Sequence, residues 1–277
     1  MKSMLTALFV GLLALSSSAQ NLRTPAPSPG QTIRQDFGLS FIELSYSRPG
    51  MKGRKIFGDV RPYGVIWRTG ANGATTLTFG DDVTIGGAAI KAGKYGLLTI
   101  PGKDSWIAII SKQLDVTSPD AYKQSEDVVR VTLKPATLAS PVETFTMQFQ
   151  NVKPNSCELN LAWENTSLSL PISTDVDSKV MAQIKNLVEN DSRPYAAAAQ
   201  YYMDNGKDLN QALAWYNKAV EQNPKAFWIL HQKATCLAKL GKKEEAKATA
   251  MASIAAAKEA KNDDYVALNE KLLATLK

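Results

Sequence analysis

Apolar and polar residues alternate with a period of two through the first half of the chain. In "LSFIELSYS" (39–47), Phe41, Glu43 and Ser45 share one face and Ile42, Leu44 and Tyr46 the other. That spacing is the signature of a half-buried strand. "ATTLTF" and "VTIGG" follow, rich in Thr and Val. "KYGLLTI" and "SWIAIIS" flank "PGKD", whose Pro and Gly supply turn dihedrals and so predict a hairpin. "DVVRVTLKPA", "ETFTMQFQNV", "CELNLAWEN" and "TSLSLPI" complete the set. No helix-length segment separates these runs, so parallel βαβ units are disfavoured. The pattern predicts an antiparallel β-sandwich over residues 36–174, with a barrel as the alternative closure of the same strands.

At "PISTDVDSKV" the period changes. "DSKVMAQIKNLVEN" puts Val180, Met181, Ile184, Leu187 and Val188 on one helical face. The remainder is Ala-rich and repeats. Ala212, Tyr216, Ala219 and Pro224 stand at offsets 0, 4, 7 and 12, the second-helix pattern of a tetratricopeptide repeat. Tyr195, Ala199, Tyr202 and Gly206 have the order of its first helix, with one extra residue in the turn. Leu230, Ala234, Leu237, Gly241, Ala246 and Ala250 form a second unit, and Ala246 lies 34 residues after Ala212. "NDDYVALNEKLLATLK" caps the array through Tyr265, Leu268, Leu272 and Leu276. The expectation is an all-α domain of tetratricopeptide-like hairpins over 175–277, making the chain α+β in two domains. A plain α-hairpin bundle is the alternative. Two units are fewer than a free-standing array needs, so the hairpins should lean on the helix from Asp177 to Asn190, on the cap, or on the β domain.

The start of the chain reads as an export signal. Lys2 precedes the apolar run "MLTALFVGLLAL", and Ser17 and Ala19 are small residues before a cut at Gln20. The run is shorter than the roughly 20 residues of a membrane span. Residues 1–19 are therefore expected to be a signal peptide. Residues 20–35, with the Pro/Ser-rich "NLRTPAPSPGQ", are expected to be a flexible leader. No later run is long enough to span a bilayer, so the expected product is exported, periplasmic or extracellular.

Charge singles out one stretch. Residues 20–175 carry 16 Lys/Arg and 14 Asp/Glu, a net of +2. "SRPGMKGRKIFGDVRPYGVIWRTGAN", Ser47 to Asn72, holds six of the bases and one acid, leaving the rest of the domain at −3. This is a local cationic patch, not a nucleic-acid-binding field. Pro49 fixes φ, and Gly50, Gly53 and Gly58 permit tight turns, so the segment should fold as ordered loops over a sheet edge.

Catalytic chemistry is thinly supplied. His231 is the single histidine, five residues from Cys236 and on another helical face. There is no nucleotide loop and no Cys/His cluster with ligand spacing, so no cofactor and no metal is expected. Cys157 and Cys236 read as free, buried thiols. Glu43 is the one candidate acid/base. It sits mid-strand, facing either solvent or a core where it would need a partner.

The motifs "YSRPGMKGRKIFG", "PYGVIWRTGAN", "ATTLTF" and "AGKYGLLTIPGKDSW" resemble domain-of-unknown-function family 2911, over roughly Gln31 to Pro171. The resemblance implies an exported β domain of a kind common in Bacteroidetes-type bacteria, with a helical region trailing it. It implies no activity. An acidic residue often follows "GAN" in that family. Gly73 stands there in this chain, so no carboxylate role is carried to that place.

The candidate ligand-binding residues are Arg48, Lys52, Arg54, Trp67, Arg68 and Asn72. Arg forks suit carboxylates or phosphates, and an aromatic beside them suits a sugar ring. Two readings stay open. The loop grips an anionic or carbohydrate-like ligand, or Arg48, Arg54 and Arg68 hold the loop itself by pairing with carbonyls, Glu43 or Asp59, with Trp67 in the core. For the whole chain the leading expectation is a non-catalytic binding or scaffold protein of the envelope, its helical face taking a protein partner. Tyr195, Tyr202, Tyr216 and Trp228 are candidates to line that face, with core packing the alternative for most. A carboxylate-dependent glycan enzyme using Glu43, and a purely structural envelope protein, are the other readings.

Overall fold

The computed structural model describes residues 24–188 and 194–276. The signal segment and the first part of the leader lie outside the described residues. The described chain forms two compact units that meet in sequence at Thr174/Asp175.

The first unit is a sandwich of two antiparallel sheets. Ten strands build it: β1 Gly30–Phe37, β2 Ser40–Ser47, β3 Thr76–Phe79, β4 Val83–Ile85, β5 Ala88–Ile90, β6 Gly93–Ile100, β7 Trp106–Ser111, β8 Asp127–Leu133, β9 Ala136–Gln150 and β10 Ser156–Ser173. One sheet has the order β1-β2-β3-β6-β7-β8, the other β5-β4-β10-β9. Alternation set the faces as read. Ile42, Leu44 and Tyr46 point into the core, against Phe145, Met147, Leu159 and Leu161 of the opposite sheet.

Two departures have clear causes. The leader ends earlier than expected, because Gly30–Phe37 pairs along its whole length with β2, from Gly30↔Ser47 to Phe37↔Ser40. Ladder hydrogen bonds order a segment that composition alone marks as flexible. The two terminal strands expected near residue 164 are a single strand, β10, with register shifts on either side of Glu164. Buried residues run Cys157, Leu159, Leu161, Trp163 before it and Leu168, Leu170, Ile172 after it, a change of parity. Such bulges bend a strand and change which side chains face inward.

On its outer face the six-stranded sheet carries a second small core. Leu98, Ile109 and Val116 are buried there, with Ile66, Ile107 and Tyr122 packed against them. Val116 and Tyr122 belong to the segment between β7 and β8, so that segment covers this face.

The second unit contains α1 Asp177–Val188, α2 Tyr195–Asp204, α3 Leu209–Gln222, α4 Phe227–Lys239, α5 Lys243–Glu259 and α6 Asp263–Thr275. Successive helices pack as hairpins, and α2 also touches α4 and α4 touches α6. First helices of neighbouring hairpins therefore lie side by side, as stacked repeats require. Ala199, Ala212, Tyr216, Ala234, Ala246 and Ala250 are fully buried, the small ones where helices cross. Gly206 and Gly241 end the first helices at φ +64° and +75°. The Lys207 and Lys242 amides reach back to the Tyr202 and Leu237 carbonyls, closing left-handed caps that favour glycine. Ile184 and Val188 of α1, and Leu272 and Leu276 at the cap, join the hairpin core, so helix and cap both support the array. Leu187 is exposed rather than packed in that core. Among the described residues no helix is long and apolar enough to cross a membrane.

Candidate functional site

The basic loop begins where β2 ends and closes one edge of the sandwich. Gly50 pairs with Thr144 of β9, the edge strand of the four-stranded sheet. The Met51 amide donates to the Glu143 carbonyl at 2.8 Å, and the Phe145 amide to Pro49 at 2.9 Å. Further on, Trp67 pairs with Thr99 of β6 through bonds of 2.7 and 2.9 Å, taking up the edge that β3 leaves free beyond Gly96. The loop thus ties the two sheets together.

Four residues of this region adopt left-handed backbone without being glycine. Lys52, Thr69, Asn72 and Glu164 have φ between +50° and +57°. Such conformations cost about 1–3 kcal/mol each and persist where the surroundings hold them. At Thr69, fully buried, the hydroxyl lies 3.0 Å from that of Thr99, and its carbonyl accepts from the Thr75 hydroxyl at 2.7 Å. At Glu164 the bulge turns the carboxylate to the loop, where it accepts the Ile56 and Phe57 amides at 3.4 and 3.3 Å. Glu143 accepts the Lys52 amide at 2.8 Å.

The candidate residues do not converge on one cleft. Glu43 lies on the outer face of β2, partly exposed, with its nearest cation Arg34 of β1 at 3.9 Å. Its acid/base candidacy falls: the alternation around it directs Ile42 and Leu44 inward and leaves Glu43 outside. Arg48 clasps β9, with Nε on the Phe145 carbonyl at 3.1 Å and a terminal nitrogen on the Thr146 hydroxyl at 2.8 Å. Arg54 folds back on its own loop, donating to Met51 and Gly50 carbonyls at 2.9 Å each. Lys52 is exposed, and its amide is the part the fold uses. Asn72 donates to the Ser28 carbonyl at 3.1 Å. Arg48, Arg54 and Asn72 are therefore loop fasteners, bonded to carbonyls and hydroxyls rather than to Glu43 or Asp59.

Trp67 is core. It is 3% exposed, stacks on Trp163 at 5.8 Å and meets Phe145 at 5.1 Å and Phe57 at 6.1 Å. Its indole N–H is satisfied by the Gly70 carbonyl at 2.9 Å. Truncating such a ring to Ala costs about 3–5 kcal/mol.

Arg68 is the charged member of the six that borders a cavity, whose wall also includes Trp67. One of its terminal nitrogens donates to the Thr117 carbonyl. It lines a cavity of about 270 Å³ together with Arg61, Val65, Ile66, Val116 and Ser118. Arg61 is not among the candidates read from the sequence. It is half-buried, with its guanidinium 5.7 Å from the Trp67 ring centre. Burial pushes its pKa down, and the charges of Arg68 and Arg54 add to that. The sequence showed Arg61 only as one more base in "RPYG". No local pattern marks a base that a distant loop will bury.

In the helical unit, Tyr195 and Tyr216 are core. Tyr216 donates to Gln200 at 2.9 Å. Tyr202 packs edge-on against Trp215 at 4.7 Å. Trp228 on α4 is 42% exposed and Leu268 on α6 45%. His231 takes part in packing: its Nδ1 is 2.9 Å from Asn269 Oδ1, while Asn269 donates to Ser253 and to the Tyr265 carbonyl. Because the Asn269 amide nitrogen is committed elsewhere, the proton of that contact belongs to His231 Nδ1. This buried network links α4, α5 and α6. Among the described residues no cluster of three His, Cys, Asp or Glu stands ready for a metal ion.

Comparison with known proteins places these features. The model of a family described as protein of unknown function (DUF2911) matches residues 28–172. A tetratricopeptide repeat model matches residues 215–248, from the second half of α3 through α4 into α5. Neither the curated proteins nor the solved structures give a match. The β domain followed by a tetratricopeptide repeat fits a protein-interaction or scaffold role.

Proposed function

Because the chain belongs to the DUF2911 family and continues into a tetratricopeptide repeat, we propose that it is an exported binding and scaffold protein of the cell envelope. Its helical hairpins hold a protein partner, and its β domain holds an anionic ligand beside the basic loop. One observation carries the reading: α4 packs beside both α2 and α6, and α4 and α6 each expose a large apolar residue, Trp228 and Leu268. Such an array offers a continuous surface for an extended or helical segment of another protein. Export rests on the apolar run and small-residue site at the start of the chain. With Trp67 in the core, the aromatic on which the sugar reading rested is packed away from the basic groups, so the anionic form of the ligand reading is the one retained.

The docking part is tested by selecting peptide ligands from a displayed random library on the full chain. The reading expects ligands whose affinity falls at least tenfold with Trp228→Ala or Leu268→Ser. Ligands indifferent to both substitutions, or none at all, would refute it. Export is checked by cell fractionation of the tagged full-length chain, where recovery from the cytoplasm alone refutes it.

A further inference from the structure

We infer that the cavity between Arg61, Arg68 and the 116–119 loop is a binding site for a small organic carboxylate. The inference rests on the reading that the β domain takes an anion, and gives that anion a place and a chemistry.

The geometry is one-sided in charge. Two guanidinium groups line the cavity and no Asp or Glu does. Nε of Arg61 and Nε of Arg68 are both buried without a hydrogen-bond partner. Arg61 makes no hydrogen bond or ion pair through its side chain among the described residues. Arg68 is held in place by the Thr117 carbonyl, which occupies one donor and leaves the Nε edge unused. Elsewhere in this loop the fold satisfies its arginines: Arg48 and Arg54 each make two hydrogen bonds. Two cations that repel one another, each with a buried donor unpaired, are unfavourable together, and an anion in the cavity beside them offsets that repulsion. A carboxylate accepts from guanidinium edges and neutralises the pair.

The rest of the wall selects among anions. Val65, Ile66 and Val116 give it apolar surface, and Pro62 and Pro119 flank it. A fully hydrated inorganic anion gains nothing from that surface, whereas a carboxylate carrying an apolar group covers it. The wall is also firm. Ile66 and Val116 pack on Leu98 and Ile109 of the sheet, and Trp67 is pinned to β6. Thr117 and Ser118 complete the wall.

The test uses the full chain at constant ionic strength, with phenylacetate, inorganic phosphate and the neutral 2-phenylethanol as probes, read by calorimetric titration and thermal shift. The expected result is saturable phenylacetate binding, at least tenfold weaker phosphate binding, and none for the alcohol. Arg61→Gln is expected to weaken phenylacetate binding at least tenfold while shifting the melting point by only a few degrees, since its side chain makes no hydrogen bond or ion pair among the described residues and meets the Trp67 ring only at 5.7 Å. Arg68→Gln is expected to do the same to binding, with a lower melting point because the Thr117 contact goes. Arg54→Gln, whose charge reaches Arg61 but whose donors are committed to the Met51 and Gly50 carbonyls, is expected to weaken affinity far less than Arg61→Gln does. Phenylacetate binding that ignores Arg61→Gln overturns this site and leaves the anion reading standing. Phosphate binding that needs Arg61 in the absence of phenylacetate binding overturns the ligand class. Binding of none of the probes overturns both the site and the reading behind it.

Discussion

Glu164 shows how one residue holds the basic loop. It sits at φ +52° in a strand bulge, and its two oxygens accept two successive loop amides, Ile56 and Phe57. Those residues are buried, and Phe57 meets Trp106 at 4.8 Å. A Gln there offers one acceptor oxygen for two amides. Glu164→Gln is therefore expected to lower stability by about 1–3 kcal/mol, the cost of an orphaned buried donor. Urea denaturation followed by tryptophan fluorescence measures it, and an unchanged midpoint would show that the amides do not depend on this carboxylate. The bases of the loop were visible in sequence, but the acids and carbonyls that fasten it were not. Glu164 lies 108 positions from Ile56, and Glu143 91 from Lys52. Nothing in local spacing pairs them.

Local pattern was far more informative for elements. Alternation gave the inward face of β2, and the Ala and Gly positions gave the helical hairpins, because these depend on neighbours within one or two turns. It failed at Gly30–Phe37, where pairing with β2 outweighs composition, and at β10, where a bulge resets parity. The start of α1 is held to the far end of α2 by a polar tie. Asp177 accepts from Lys207 Nζ and from the Tyr201 hydroxyl at 2.8 Å. Those bonds, Lys207 first, hold its pKa below the usual aspartate value, and they push Tyr201 up to about 12, where burial acts first. A lowered folded pKa gives stability that is present above the unfolded value of about 3.9 and is lost as pH falls through the folded value. Acid titration of helicity should thus show a loss below about pH 4 in wild type that is shallower in Asp177→Asn. Identical slopes for the two would show that the tie is not coupled to folding of this unit.

At the scale of the whole molecule, the main hydrophobic core of each unit holds one buried free cysteine. Burial pushes the Cys157 thiol up to about 11, helped by neighbouring Glu158, and raises Cys236 as well. A buried thiol with little thiolate is unreactive. In single-cysteine variants, Cys157→Ser and Cys236→Ser, labelling by a thiol reagent at neutral pH should be slow in the native chain and complete only after denaturant opens the unit carrying the remaining thiol. Fast labelling of either variant without denaturant would contradict the packing. The net charge of +6 follows from the sequence, yet its use does not. Most of the loop's cations face solvent or backbone carbonyls, and two are turned into a cavity.

By itself the sequence determined the order of a β domain and a helical repeat, the inward face of β2, the repeat positions with Gly206 and Gly241 among them, and the basic loop as a feature apart. These are consequences of short-range periodicity and backbone preference, which a linear chain displays openly. Only the tertiary structure decided which arginines fasten the loop and which lack partners. Arg48 and Arg54 find hydroxyls and carbonyls, while Arg61 and Arg68 are enclosed by a segment more than 45 positions away that supplies one carbonyl between them. Hydrogen-bond satisfaction depends on what the folded chain brings within about 3 Å, and that is set by packing across the sandwich rather than by neighbours in sequence.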